Sequence, residues 1–210
     1  MELLNANQMQ EVLNALYDKA LDGIPLVSKS IDELAYDYLS KHHNASSAAK
    51  SLINYQILKC GTSGFLTGLG GFITLPVAIP ANVSSVLYVQ MRMIGAIARM
   101  GGFDAHTDQV QSLVYVCLTG SAAADIMKKS GIKVGERVAL NAIKGISGKT
   151  LTKINQKVGM RLITKFGEKG VINLGKTIPI VGGVIGGGVD IASTRMIGDN
   201  AYRMFITQKF

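Results

Sequence analysis

The chain has 210 residues, 48% of them hydrophobic, with 24 glycines, four prolines and no tryptophan. This length allows one domain with a substantial core, or two small ones, and the hydrophobicity is high for a soluble protein. The N-terminal sequence MELLNANQMQ lacks the basic and apolar segments of a secretory signal peptide, so export by that route is not expected.

The formal net charge of +8 is unevenly distributed along the chain. Residues 1–50 contain seven Asp and Glu against four Lys, a net charge of −3. Residues 127–176 contain twelve Lys and Arg against two Glu, a net charge of +10. This asymmetry favours an anionic partner, such as lipid head groups, nucleic acid or an acidic protein.

Helical spacing of apolar residues dominates the sequence, whereas strand signals are weak, so an all-α fold is predicted. Ser30 with Glu33 forms a capping-box pattern, and Asp108 is the expected N-cap of a later helix. In chain order, the first predicted helix begins after Asn5 or Asn7, the second spans 31 to about 42, and the third begins at Ser46 or Ser47. The fourth spans 82–100 and the fifth begins at 108. The remaining predicted helices span 122–129, 134–146, 149–168 and about 180–207.

Residues 60–91 form a run of 32 residues without a charged side chain. A run of 18 or more is typical of a membrane-spanning helix, but Pro76 and Pro80 interrupt this one. Each half is then about 15 residues long, shorter than the ~20 residues that a spanning helix needs. Two interpretations remain: a buried helical hairpin in a globular core, or a hairpin that enters a membrane.

The uncharged run also contains most of one copy of an apparent internal repeat, which ends just beyond it. A shift of 103 residues places Thr74, Pro76 and the block Arg92-Met93-Ile94-Gly95 on Thr177, Pro179 and Arg195-Met196-Ile197-Gly198 without a gap. We interpret this as a duplication rather than chance, because four consecutive identities accompany a fixed spacing from proline to arginine. It predicts two related helices, each preceded by proline, that pack near each other.

Small residues recur at helical spacing in the second copy of this repeat and in the segment that precedes the first copy. They allow two helix backbones to approach closely, either in a membrane or in a soluble core. The candidate helix-packing glycines are Gly64, Gly68, Gly71, Gly182 and Gly186.

A basic amphipathic helix is the clearest functional feature of the sequence. Basic residues recur every fourth position, at Lys149, Lys153, Lys157, Arg161, Lys165 and Lys169. Successive members turn by about 40° around a helix, so the six form a slowly winding ridge opposite an apolar face. Such a helix is typical of membrane-surface binding, or of binding to a phosphate backbone, although a merely solvated face has the same pattern.

Charged residues within the apolar repeat need partners, because an isolated charge is costly in apolar surroundings. We predict a buried polar network that contains Arg92, Asp190 and Arg195, in which Asp190 pairs with one of the two arginines. The segment Asp104-Ala105-His106-Thr107-Asp108 fits a loop before a helix better than a metal site, so no metal or cofactor is predicted. No catalytic motif is present, which favours a protein that is not an enzyme.

Four segments together resemble the EcsC protein family. They are TGLGGFITLPVAIPANVSSVLYVQMRMIGAIARMGGFD (67–104), DQVQSLVYVCLTGSAAADIMKKSGIKVG (108–135), KTLTKINQKVGMRLITKFGEKGVINLGKTIPIVGGVIGGGVD (149–190) and STRMIGDNAYRMF (193–205). The resemblance implies a bacterial protein, and it supplies no catalytic residues. Arg92, Asp190 and Arg195 occupy family-like positions whose role the resemblance does not explain.

The sequence therefore predicts an acidic helical segment over 1–45 and an EcsC-like helical domain over 46–210. The expected function is association with a membrane at its cytoplasmic face, peripheral or inserted, through the basic ridge and the glycine-rich apolar hairpins. Membrane lipid or a membrane protein is the expected partner. The alternative is a soluble helical module that binds an acidic protein or, less favoured, nucleic acid. The oligomeric state is left open.

Overall fold

The computed structural model describes residues 5–60, 75, 79, 81–132, 140–166 and 184–209, with the side chains of 60, 81, 82, 140, 141, 166 and 184–191 outside the description. The helices are α1 (Ala6–Asp22), α2 (Ile31–Leu39), α3 (Ala45–Cys60), α4 (Ala81–Met100), α5 (Asp108–Leu118), α6 (Ala123–Lys129), α7 (Leu140–Lys144), α8 (Gly148–Phe166) and α9 (Val184–Ala201). A short 3₁₀-helix, Gly120–Ala122, precedes α6, and a π-helix, Tyr202–Thr207, continues α9. The described residues contain no strand, which confirms the all-α prediction.

Local capping chemistry accounts for where α1 and α2 begin. The side-chain oxygen of Asn5 accepts hydrogen bonds from the backbone of α1, and the side-chain oxygen of Gln8 accepts one from the backbone N–H of Asn5. Ser30 and Glu33 form the predicted capping box at the start of α2. These reciprocal bonds satisfy backbone donors that a helix N-terminus otherwise leaves unpaired.

Two predicted helix boundaries were wrong. The N-cap of α5 is Thr107, whose hydroxyl accepts from the N–H of Val110, and Asp108 is the first helical residue. There its carboxylate lies at the positive end of the helix dipole. Helix α2 ends at Leu39 rather than near His42, because the chain tightens into i+3 bonds and the imidazole of His42 meets the Tyr38 carbonyl.

Helix α4 occupies the centre of the molecule and packs against α1, α2, α3, α5, α9 and the π-helix. Nearly every described side chain of α4 is buried, which explains the absence of charge from its first half. Within the part of the uncharged run that lies in α4, from residue 81 to 91, nearly all the described side chains, 83 to 91, therefore belong to the core. The rest of that run, apart from Cys60 at the end of α3 and residues 75 and 79, lies outside the described residues.

Helices α4 and α9 carry the two copies of the apparent repeat and pack against each other. Their matched glycines have the same steric role. A Cβ on Gly95 would overlap the Cδ1 of Ile31 in α2, and a Cβ on Gly198 would lie 2.8 Å from the Cγ2 of Ile53 in α3. Each glycine therefore admits an isoleucine from a neighbouring helix. The duplication itself stays a prediction.

The end of α4 meets the π-helix at a second close approach. A Cβ on Gly101 would overlap the carbonyl oxygen of Phe205, and Gly102 has φ +84°, which favours glycine. Phe103 then packs edge-on against Phe205, with ring centroids 5.2 Å apart. The predicted stop at Gly101-Gly102 thus coincides with the point where the C-terminal segment packs against the core.

Candidate functional site

The basic helix α8 is held on the protein by its apolar face. It packs against α1, α5 and α6, and Gly159 brings its backbone close to the first residue of α1. The apolar side chains on this face that are buried are Leu151, Ile154, Val158 and Leu162. Because the core occupies this face, only the opposite face of α8 can meet a partner without rearrangement.

The described members of the predicted ridge differ in their exposure. Lys149, Lys153 and Arg161 are exposed, whereas Lys157 and Lys165 are half-buried. A steady rotation of about 40° per step would bury later members progressively, but Arg161 is more exposed than Lys157, so neighbouring elements also decide which of these residues solvent reaches. Lys169 lies outside the described residues.

The two half-buried lysines make contacts within the protein. The Lys157 ammonium donates a 2.7 Å hydrogen bond to the carbonyl oxygen of Lys129, the last residue of α6. The Lys165 ammonium donates to the Ser193 hydroxyl on α9 at 3.3 Å. A cation at a helix C-terminus satisfies a carbonyl that lacks a partner within its helix. Lys157 therefore has a structural role that the sequence did not indicate.

Helix α6 extends the basic surface beside α8. Lys128 and Lys129 at its end are both exposed. Lys129 pairs with Asp125 one turn earlier, at 2.9 Å. The basic surface, defined here as Lys128, Lys149, Lys153, Lys157 and Arg161, thus draws on two helices that pack together.

An open groove of about 390 Å³ runs between α6 and α8. Its walls are residues 122, 125, 126 and 129 from one helix region and 156, 157, 160 and 161 from the other. Both sets follow helical spacing, which the sequence shows, but their facing each other depends on the packing of α6 against α8. The groove therefore cannot be predicted from the sequence of either helix alone.

Arg92 is a buried cation in the central helix. Arg92 is 8% exposed, its guanidinium carbon lies 5.7 Å from the centroid of the Tyr88 ring, and its Nε has no hydrogen-bond partner among the residues that the structure describes. Burial lowers the pKa of Arg92 from its ordinary value, and the nearby Tyr88 opposes that shift. Burial also raises the pKa of Tyr88, against the opposing effects of its hydrogen bond with Ser28 and of Arg92.

The structure places Arg195, the repeat counterpart of Arg92, in a different environment. Arg195 is exposed and borders a hollow of about 290 Å³ together with Asp199 and Tyr202. A buried setting for Arg195 is therefore not what the structure shows. The side chain of Asp190 lies outside the described residues, so its pairing with Arg92 stays a prediction.

The predicted packing glycines fall mostly outside the described part of the chain. Gly64, Gly68, Gly71 and Gly182 are outside it, and Gly186 lies within α9. The glycines whose close contacts the structure does describe include Gly95, Gly101 and Gly198.

The described residues contain neither a helix that could span a membrane nor a group of metal ligands. None of the helices described in the structure is both long enough and apolar enough to cross a membrane. Over the same ranges, no three His, Cys, Asp or Glu side chains are grouped as metal ligands. The Asp104 carboxylate instead accepts a 3.0 Å bond from the backbone N–H of His106 within the loop before α5.

The fold and the site together define an all-α protein with a central apolar helix and a basic surface formed by α6 and α8. The sequence model of the EcsC protein family matches residues 6–207, so the chain belongs to that family. The match includes α1 and α2, whose buried residues belong to the same core as α4. Comparison with curated proteins and with solved structures gave no match.

Proposed function

We propose that this EcsC-family protein is not an enzyme and that it associates with anionic membranes through the basic surface of α6 and α8. One observation carries the proposal: the apolar face of α8 is buried in the core while Lys149, Lys153 and Arg161 face solvent. Like charges at i+4 spacing slightly destabilise a helix, so folding stability does not favour such a series.

The mode of association follows from the same packing. A free amphipathic helix binds a membrane by burying its apolar face among the lipids. Helix α8 has that face against α1 and α5, so its association is electrostatic and peripheral. Each Lys or Arg near an anionic membrane contributes about 1 kcal/mol, and the attraction falls off over about 8–10 Å at physiological salt. The cytoplasmic leaflet is the expected surface, because anionic lipids concentrate there.

The test removes the three exposed charges of α8. We expect Lys149→Gln/Lys153→Gln/Arg161→Gln to weaken binding to phosphatidylglycerol vesicles by about 3 kcal/mol, more than a hundredfold in affinity. Co-sedimentation across a lipid titration measures this. Lys157 stays unchanged because it donates to the Lys129 carbonyl, and its loss would change folding as well as charge. The thermal unfolding temperature of the triple variant should match that of the wild type.

A matched control removes three exposed charges elsewhere. Lys41, Arg203 and Lys209 are exposed, and none lies on α6 or α8. Lys41→Gln/Arg203→Gln/Lys209→Gln should bind vesicles nearly as well as the wild type. Equal binding by the wild type and the α8 variant would contradict the proposal. If the wild type bound no vesicles but bound DNA or an acidic protein at low salt, the alternative of a soluble interaction module would replace it.

A further inference from the structure

The groove between α6 and α8 combines an apolar lining with cationic edges. From the α6 side it is lined by Ala122, Asp125, Ile126 and Lys129, and from α8 by Gln156, Lys157, Met160 and Arg161. The spacings i, i+3, i+4, i+7 and i, i+1, i+4, i+5 place each set along one side of its helix. The groove therefore extends over about two turns on the α6 side and about one and a half turns of α8.

The charges around the groove leave a net positive edge. The Asp125 carboxylate already pairs with Lys129 at 2.9 Å. The Lys157 ammonium covers the last carbonyl of α6, whose partial negative charge would otherwise repel an anion. Arg161 is exposed and forms no ion pair with any residue that the structure describes. Arg161, and the two N–H donors that the Lys157 ammonium does not use on Lys129, can therefore receive an anion.

The apolar part of the groove is open to solvent. Met160 is 59% exposed, although it lies between helices that bury most of their other apolar side chains. Ile126, which lines the same groove from the α6 side, is 5% exposed. A methionine side chain adapts its shape readily to a partner, because it is unbranched and flexible. The groove thus offers an adaptable apolar surface beside two cations.

We infer that this groove binds the head group of one anionic phospholipid. The phosphate contacts Arg161 and Lys157, because charge-assisted hydrogen bonds to phosphate are the strong ones and arginine binds phosphate in a bidentate manner. The glycerol and the first methylene groups pack on Met160 and Ile126. This inference rests on the proposed function and deepens it, since it adds a defined lipid site to general electrostatic attraction.

The size of the groove agrees with a head group rather than a whole lipid. Its volume of about 390 Å³ lies at the small end of the range for ligand sites, roughly 300–1,000 Å³. The acyl chains then stay in the bilayer, which suits a peripheral protein whose apolar α8 face is already buried. A free phosphate would satisfy the cations but leave Met160 exposed, so the apolar lining favours the lipid.

The test uses short-chain lipids as monomers, so that binding to a site is measured without a membrane. Isothermal titration of the full chain with dihexanoylphosphatidylglycerol below its micelle concentration should show one saturable site. Dihexanoylphosphatidylcholine, with equal chains and no net charge, should bind at least tenfold more weakly. Glycerol 3-phosphate, with the phosphate and no chains, should also bind at least tenfold more weakly.

Two pairs of variants locate the site. Arg161→Gln should weaken binding of the anionic monomer about tenfold, whereas Lys153→Gln, one charge removed outside the groove, should not change it. Met160→Gln should weaken it about fivefold, whereas Met196→Gln, at an exposed methionine on α9, should not. All four positions are exposed, so equal unfolding temperatures should accompany these differences.

The outcomes separate this inference from the proposed function. Binding of anionic vesicles without binding of the anionic monomer would overturn the groove site and leave the membrane proposal standing. Saturable monomer binding without vesicle binding would overturn the membrane proposal and leave the groove site standing. Equal affinity for the anionic and zwitterionic lipids, or equal effects of Arg161→Gln and Lys153→Gln, would also overturn the groove site.

Discussion

The contact between Gly95 of α4 and Ile31 of α2 makes a prediction that a double-mutant cycle can test. A Cβ at position 95 would overlap the Cδ1 of Ile31 and lie 3.2 Å from its Cγ1. The Ile31 side chain is fully buried, so its Cδ1 cannot swing into solvent to make room. Gly95→Ala therefore has two opposing effects on stability, one local to α4 and one at the contact with α2.

The magnitudes decide the sign of the single substitution. Replacing glycine by alanine inside a helix gains about 1 kcal/mol of propensity. Overpacking a buried contact costs about 1–3 kcal/mol. We therefore expect Gly95→Ala to lower the free energy of unfolding by about 1 kcal/mol. Ile31→Val, which removes only the Cδ1, should by itself cost about 1 kcal/mol.

The double variant should relieve most of the clash and regain the stability that the clash costs Gly95→Ala. With the Cδ1 absent, the nearest remaining atom is the one now 3.2 Å away, which small shifts accommodate. Urea unfolding of the wild type, both single variants and the double variant should give a favourable coupling of at least about 1 kcal/mol. Ile53→Val is the matched control, because Ile53 contacts Gly198 instead, and its coupling to Gly95→Ala should stay below about 0.5 kcal/mol. A stabilised Gly95→Ala, or no coupling to Ile31→Val, would refute the steric argument.

Two further predictions concern backbone strain and buried tyrosines. Leu26 has φ +64° and a fully exposed side chain, so Leu26→Asn should raise the free energy of unfolding by about 1 kcal/mol; a lower urea midpoint would contradict this. Burial, with smaller effects of nearby carboxylates, raises the pKa of both Tyr17 and Tyr115 above the ordinary 10, while a hydrogen bond from Gln111 opposes the shift at Tyr115. Above pH 10 both phenols stay neutral in the folded state and ionise on unfolding. Their contribution to the free energy of unfolding is therefore complete below pH 10 and is lost as pH rises above it. At pH 11 each tyrosine should lower the free energy of unfolding by about 1.4 kcal/mol relative to its value below pH 10. A free energy of unfolding that is flat from pH 9 to 11 would contradict this.

The sequence predicted the helices well where the signal is local. The capping box of Ser30 and Glu33 and the stop at Gly101 each depend on residues within one turn of the boundary. The choice between Thr107 and Asp108 as the N-cap of α5 failed because both residue types cap helices, and the loop geometry before α5 decides between them. Where two neighbouring residues can both cap a helix, the packing of the flanking chain decides which of them is the N-cap.

The candidate site was only partly predictable, for a different physical reason. The spacing of Lys149, Lys153, Lys157 and Arg161 predicts a winding ridge, and in the structure these four residues lie on the single helix α8. Which part of the ridge faces solvent depends on how α1, α5 and α6 pack around α8, and no pattern within residues 149–169 contains that information. The bond from Lys157 to Lys129 and the groove beside it both require a second helix.

The matched positions of α4 and α9 separate packing from charge in the apparent repeat. Gly95 and Gly198 both admit an isoleucine from a neighbouring helix, whereas Arg92 is buried and Arg195 is exposed. A close helix contact needs a small residue wherever it occurs, so a duplicated helix would retain its glycine in both copies. Arg92 lies on α4, which is enclosed on several sides by other helices, whereas Arg195 lies on a part of α9 that solvent reaches. Under the duplication hypothesis, the glycine contact is the shared element and the environment of the arginine is what diverged. Arg92 is thus the better candidate for a buried partner of Asp190, and Arg195 for contact with solvent.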